Sequence, residues 1–324
     1  MRKIPLIIDT DPGHDDAFAI MLALSSDKLD VKAITTVCGN STVENTTQNA
    51  LNILTLLGRT DIPVAKGIGK PMLQPLDRSG GIKVHGESGL DGPVFGPPAC
   101  QPVEMHAVDL MAKIVRESEE KVTLAPLGPL CNIAAFILCY PELTQKIERI
   151  SIMGGSVFSG NVTPSAEYNI FVDPESAQVV FSSGIPVIMH SIGSTGSARV
   201  SDDDIQVWRE LGTNAGNFAG ELMDFYKLSS KDRGFSSYNI CDAHAVAYLI
   251  DPSIYETFHT YVEVDLVGQF TRGQTVADMR TNEGSISRYY QTQHKEFVKN
   301  CYVVTKVDRQ AYVDLLTDAL KKLG

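Results

Sequence analysis

Between positions 7 and 20 the chain reads Ile7-Ile8-Asp9-Thr10-Asp11-Pro12-Gly13-His14-Asp15-Asp16-Ala17-Phe18-Ala19-Ile20. The apolar run Ile4 to Ile8 predicts a strand buried on both faces, and Ala17 to Leu24 predicts an apolar helix. A short Pro-Gly loop joins them, and four carboxylates fall at that junction. Crowded carboxylates repel one another, so the arrangement is costly unless a cation sits among them. Hard oxygen donors of this kind suit Ca²⁺ or Mg²⁺ rather than a soft metal. The partial positive charge of a helix N-terminus favours Asp15 and Asp16 as anions, and either alone is accounted for as a cap or first-turn acid. Asp9 and Asp11 gain nothing from capping, so the cluster as a whole points to a metal.

The rest of the chain repeats one unit: a near-continuous apolar strand, a short loop, a helix. Strands are expected at Val31 to Val37, Ile62 to Ala65, Val122 to Ala125, Ile150 to Met153 and Pro186 to Met189. Helices are expected at Thr42 to Leu57 (stopped by Gly58), Val103 to Glu119 and Leu130 to Tyr140, with another opened by Asp173-Pro174. This pattern predicts an α/β fold: a single domain over residues 1–324, with an open, mostly parallel, Rossmann-like sheet covered by helices on both faces. Ligands bind outside the carboxyl ends of the strands in such sheets. Asp11 to Asp16, Asn40, Leu127 and Met153 all fall there. Lys66 to Pro102 is rich in Gly and Pro without sustained period and reads as a loop folding over a site, with His85 in its polar centre. Ser156 to Val172 reads as a second irregular segment. Further on, helices are expected at Asp202 to Leu211, Gly216 to Leu228, Cys241 to Ile250 and Arg309 to Leu323, with a polar break from Ser229 to Asn239. Tyr261 to Leu266 and Thr275 to Met279 read as a β-excursion, and Tyr302 to Val307 as a last strand.

A formal charge of −11 argues against a polyanionic partner such as nucleic acid. No stretch approaches the ~20 apolar residues of a membrane span, and Met1-Arg2-Lys3 leads into the first strand without an apolar leader. A cytoplasmic protein with no membrane partner is expected. The six cysteines lack CxxC spacing, so reduced thiols, most of them in the core, are expected rather than a zinc site or disulfide framework.

The segment Asp9-Thr10-Asp11-Pro12-Gly13-His14-Asp15-Asp16-Ala17 resembles the N-terminal signature of the inosine–uridine-preferring nucleoside hydrolases. The likeness continues through Cys38-Gly39-Asn40, His85-Gly86 with Gly89-Leu90-Asp91-Gly92, and Ala125 through Asn132. It extends to Met153-Gly154-Gly155, Glu167-Tyr168-Asn169 and Asp173-Pro174-Glu175. The resemblance implies a Ca²⁺-dependent hydrolase of the ribonucleoside N-glycosidic bond, assembled as a homodimer or homotetramer. It implies that Asp11, Asp16 and Asp242 ligate Ca²⁺, with the main-chain carbonyl of Leu127, and that Asp11 takes the proton of the attacking water. Asp15, Asn40, Asn161, Glu167 and Asn169 would hold the sugar hydroxyls, and Met153 would line the ribose pocket. Read by itself, Asp242 is an acid at a helix start, where capping is the commoner role.

Well-known members carry a His just before the last metal-binding Asp; this chain has Cys241 there. A thiol of ordinary pKa is a poor acid beside imidazolium, which leaves activation of the departing base to Cys241, His85 or Tyr226. His14 reads as a loop contact, and His106, His244 and His259 as structural. Two other classes compete. A haloacid-dehalogenase-type phosphatase also starts from a strand ending in Asp-x-Asp, but Gly13 stands where Thr or Val is expected and Asp15-Asp16 would have no role. A Ca²⁺-dependent nucleoside- or ribose-binding protein would use the same pocket without turnover.

Overall fold

The computed structural model describes residues 2–231, 237–292 and 298–324. Among the described residues ten strands form: β1 (Ile4–Thr10), β2 (Leu29–Thr36), β3 (Val64–Lys66), β4 (Val122–Pro126), β5 (Ile147–Met153), β6 (Val187–His190), β7 (Tyr255–Thr260), β8 (Val262–Val264), β9 (Thr275–Ala277) and β10 (Cys301–Val307). Eight of them make one sheet in the order β3-β2-β1-β4-β5-β6-β10-β7, parallel throughout except for the antiparallel edge strand β7. The β8–β9 hairpin stands apart from it.

The chain winds outward from β1 to β3 on one side, then crosses back to β4 on the other. A crevice therefore opens at the carboxyl ends of β1 and β4, where strand order reverses. Because β1 is central, Leu6, Ile7 and Ile8 are wholly buried. The helix that follows it, His14–Ser25, is buried from His14 through Ala23, since it lies beneath the helices Ala243–Ile250 and Arg309–Lys322. Phe18 packs against Trp208 there at 5.3 Å between ring centroids. The other face of the sheet is covered by Ala107–Glu117, Cys131–Cys139 and Pro174–Phe181, packed on Leu124, Ile150 and Val187. Among the described residues no helix is long and apolar enough to cross a membrane. Cys38, Cys131, Cys241 and Cys301 are buried free thiols, whereas Cys139 is exposed and Cys100 half-buried.

Several expectations need correction. Lys66 to Pro102 is not wholly irregular: it contains the helix Ser79–His85. Val103 is not helical; it bridges to Ala65 at the sheet edge, and the helix begins only at Ala107, with the His106 ring accepting the Val108 N–H. Ser156 to Val172 closes with the helix Tyr168–Val172. The edge strand β7 was not foreseen, because its alternation is interrupted by polar and charged residues. Helix Asn214–Lys231 runs three residues past the expected end at Leu228. Residues 232–236 of the polar break lie outside the described residues.

At the end of β6, His190 is wholly buried between Tyr248 and Tyr255, with Nε2 3.2 Å from the Ser151 hydroxyl. Among the described residues its Nδ1 has no partner. Burial lowers its pKa from 6.5 to about 3, so between those values the unfolded chain binds a proton that the folded chain refuses. The native state is favoured above about pH 6.5 and loses up to about 1.4 kcal/mol per pH unit below it from this residue. Urea titrations from pH 7.5 to 5 should show a shallower loss of stability in His190→Phe than in the wild type. Equal slopes would contradict the assignment.

Candidate active site

At the end of β1 the chain leaves the sheet through Asp11, Pro12 and Gly13 and enters the helix His14–Ser25. Asp16, the third helical residue, accepts the Gly13 N–H at Oδ2 (2.8 Å) and the Thr10 hydroxyl at Oδ1 (2.5 Å). It therefore does cap the helix, as first-turn acids do. Asp242 precedes the helix Ala243–Ile250 but makes no capping hydrogen bond, so capping does not explain it. Instead, Asp15, Asp16 and Asp242 each place a carboxylate oxygen within 4.8 Å of the other two, and all three side chains are buried.

The electrostatic consequence is strong. Burial, and then the charge on Asp16, push the Asp15 pKa up to about 7. Asp242 is raised well above the usual carboxylate range by burial and then by Asp15 and Asp16. Asp11 is raised by burial first and by Asp16 second. The His85 Nε2 lies 3.9 Å from Asp15 Oδ1. A buried, oxygen-only donor set of three carboxylates fits a hard divalent cation.

Asp11 sits beside this trio rather than within it. Its Oδ2 accepts the Asn40 N–H (2.7 Å), and its main-chain carbonyl accepts the Asn40 amide (3.2 Å). Gly39 and Gly128 pack so tightly on its carboxylate that a Cβ at either would collide with it. Asp9 is separate: Oδ1 accepts from Thr35 (2.6 Å) and Asn132 (2.8 Å), tying β1 to β2 and to the helix Cys131–Cys139. Its Oδ2 has no partner among the described residues, and burial raises its pKa to about 7.

On the β4–β5 side, Leu127 follows β4 and Met153 ends β5, both with buried side chains. The Asn169 Nδ2 donates to the carbonyls of both, at 2.6 and 3.1 Å. Glu167 caps the short helix that carries Asn169, accepting the N–H groups of Asn169 and Ile170, and also that of Gly155. Burial raises its pKa to about 7. Asn161 is exposed, and its side-chain oxygen accepts the Tyr168 N–H at 3.0 Å.

On the opposite side His85 is buried at the end of its helix. Its Nδ1 accepts the His14 N–H (3.2 Å) and lies 3.0 Å from His14 Nδ1. His14 is a loop contact: its Nε2 meets the Asp91 carbonyl at 2.9 Å, and its ring stacks on Phe225, so it braces the segment over the site. Tyr226 lies 6.0 Å from the His85 ring and donates its hydroxyl to the Asn239 carbonyl. Burial pushes the Cys241 thiol well above its usual range, which makes it a weaker acid still.

Other contributors escaped the sequence reading. Tyr168 donates to the Gly39 carbonyl at 2.8 Å, linking the Glu167 segment to the loop around Asp11. Asn49 donates to the carbonyls of Pro12 and Ser88, joining the acidic loop to the segment above it. The available signal was a polar residue on the buried stripe of an amphipathic helix, beside Ala50 and Ile53.

The model of the inosine-uridine preferring nucleoside hydrolase family matches residues 6–314. The chain belongs to this family. It is 47% identical over 320 residues, 98% of each chain, to the pyrimidine-specific ribonucleoside hydrolase RihA of Escherichia coli O127:H6. Among solved structures it resembles a purine-preferring ribonucleoside hydrolase from Gardnerella vaginalis (TM-score 0.88, 30% identity, 98% of each chain). It also resembles the plant nucleoside hydrolase PpNRh1 (TM-score 0.89, 30% identity, 99% of each chain). This nucleoside hydrolase is thus an enzyme acting on ribonucleosides, which sets aside both the phosphatase and the non-catalytic binding protein. Its glycine cradle gives a direct check on Asp11. With Asp11 in a catalytic role, Gly128→Ala would keep the fold by circular dichroism but lower kcat/KM about 100-fold. Wild-type kinetics in Gly128→Ala would contradict a catalytic role for Asp11.

Proposed function

We propose that this enzyme hydrolyses pyrimidine ribonucleosides, uridine and cytidine ahead of purine ones, with Ca²⁺ as its metal. The observation that supports the metal is the buried trio Asp15, Asp16 and Asp242, whose carboxylate oxygens lie within 4.8 Å of one another. The base preference rests on the likeness to RihA, named pyrimidine-specific. In this reading Asp11, Asp16, Asp242 and the Leu127 carbonyl hold the cation. A hard cation at such a site supplies a lowered pKa for water and a fixed point for neighbouring hydroxyls. Asp11 takes the proton of the attacking water, its carboxylate kept in place by the Asn40 N–H and the two glycines.

Asp15 accepts a hydrogen bond from a ribose hydroxyl. Asn40, Asn161, Glu167 and Asn169 bound the sugar, and Met153 lines its pocket. Negative charge around the ribose is worth most as positive charge develops on the sugar in the oxocarbenium-like transition state. His85, with Tyr226 beside it, donates to the departing base; Cys241 fills the position as an un-ionised thiol. We read the protein further as a cytoplasmic homodimer or homotetramer that takes up a small nucleoside and binds neither nucleic acid nor membrane.

Ribose release from uridine, cytidine, inosine, adenosine and 2′-deoxyuridine, with and without a chelator, tests this reading. Uridine and cytidine should be fastest, and 2′-deoxyuridine slower by about 10³-fold or more, since its absence of a hydroxyl leaves buried polar groups unmatched. Asp11→Asn should lose about 10²- to 10⁴-fold in kcat, and chelation should abolish turnover until Ca²⁺ is restored. Faster purine turnover would overturn the base preference, and chelator-resistant activity the metal.

A further inference from the structure

We propose that Asp91 is a positioning residue for His85: its carboxylate closes the turn that follows His85 and so aims the imidazole at the departing base. The proposal rests on the reading of His85 as the donor to that base. His85 is the last residue of the helix Ser79–His85, and Gly86 ends that helix in the left-handed region, at φ 83°. The chain turns back through Gly89, also left-handed at φ 85°, and returns beside His85, whose carbonyl accepts the Asp91 N–H at 3.0 Å. Three donors inside this turn converge on the Asp91 carboxylate. Oδ2 accepts the Glu87 N–H (3.0 Å), and Oδ1 accepts the Ser88 N–H (3.1 Å) and the Ser88 hydroxyl. The carboxylate lies so close over Gly86 that a Cβ there would collide with it.

Residue 91 reaches His85 by two routes. One is the main-chain hydrogen bond to the His85 carbonyl. The other runs through His14, whose Nε2 donates to the Asp91 carbonyl at 2.9 Å and whose N–H donates to His85 Nδ1 at 3.2 Å. His85, Asp91 and His14 thus form a closed ring of contacts around an imidazole whose Nε2 lies 3.9 Å from Asp15 Oδ1. Both routes use main-chain atoms of residue 91, which any amino acid would supply. The side chain decides whether those atoms stay in place, because a short carboxylate accepts several neighbouring donors at once and its charge strengthens each bond. Leu90 in the core, and the Asn49 amide on the Ser88 carbonyl, anchor the turn independently. Loss of the carboxylate therefore loosens His85 without detaching the segment.

Leaving-group dependence separates this role from a merely structural one. Uridine needs help with its departing base, whereas p-nitrophenyl β-ribofuranoside releases a phenolate that needs no proton. Turnover of both substrates would be measured for wild type, His85→Ala, Asp91→Ala, Asp91→Asn and the double variant His85→Ala/Asp91→Ala, with folding checked by circular dichroism. We expect Asp91→Ala to lower kcat about 10- to 100-fold on uridine, as a misplaced catalytic group does, and to leave the phenyl riboside nearly unaffected. Asp91→Asn, which keeps one acceptor oxygen, should fall between Asp91→Ala and wild type. The double variant should be no slower on uridine than His85→Ala, and where wild type is slow on the phenyl riboside this comparison decides alone. The proposal is overturned if His85→Ala is slow on uridine while the folded Asp91 variants match wild type or lose equally on both substrates. It is overturned too if the losses multiply in the double variant, or if neither Asp91 variant folds, since the carboxylate then serves the fold. If His85→Ala turns over uridine like wild type, the reading of His85 itself fails, and the proposal with it.

Discussion

Mutual repulsion among buried carboxylates is the constraint around which this molecule is built. Asp15 and Asp16 from one helix and Asp242 just before another lie far apart in sequence, and the fold brings their buried oxygens within 4.8 Å. Each charged oxygen there raises the free energy of the others, and burial together with the neighbouring charges raises the proton affinities of Asp15 and Asp242. A chain tolerates this only where the arrangement is stabilised by a ligand or offset by the rest of the fold. Here the fold's contribution is large: β1 is central in the sheet, and the helix after it is buried along most of its length.

That burial explains the choice of small and polar residues around the acids. Gly39 and Gly128 let two loops close on Asp11. Asn132 joins Asp9 to the Thr36 carbonyl and, through its oxygen, to the Ile68 N–H, so three strand ends share one amide. Asn169 does the same for β4 and β5. Asn49 and His14 tie the covering segment to the acidic loop. Primary amides recur because each offers two donors and an acceptor of fixed geometry, which suits the joining of several main-chain groups at once.

Much of this was legible beforehand because it is local. Apolar runs of strand length and the Asp-rich junction lie within a few residues of one another, and so do caps such as Thr42 and Asp173, which accept the N–H groups of Asn45 and Ser176. What was not legible is long-range. Periodicity cannot tell that Asp242 meets Asp15, nor that Asp11 stands beside the trio while Asp15 stands in it. It also could not reveal that the Asn169 amide reaches the carbonyls of Leu127 and Met153, because that depends on two main-chain groups beside the ends of different strands. The helix Ser79–His85 escaped because its glycines carry no helical signal; Gly81 is nonetheless required where the backbone runs against Asn40. His85 was visible as a residue but not as a buried one.

The measurement closest to the central claim is thermal unfolding at pH 8 of wild type and Asp242→Asn, each with a chelator and with Ca²⁺. If carboxylate repulsion is what the cation relieves, wild type should melt several degrees higher with Ca²⁺. Asp242→Asn should melt higher than wild type in the chelator and respond little to Ca²⁺. A wild type indifferent to Ca²⁺, together with an Asp242→Asn variant less stable than wild type in the chelator, would contradict the account.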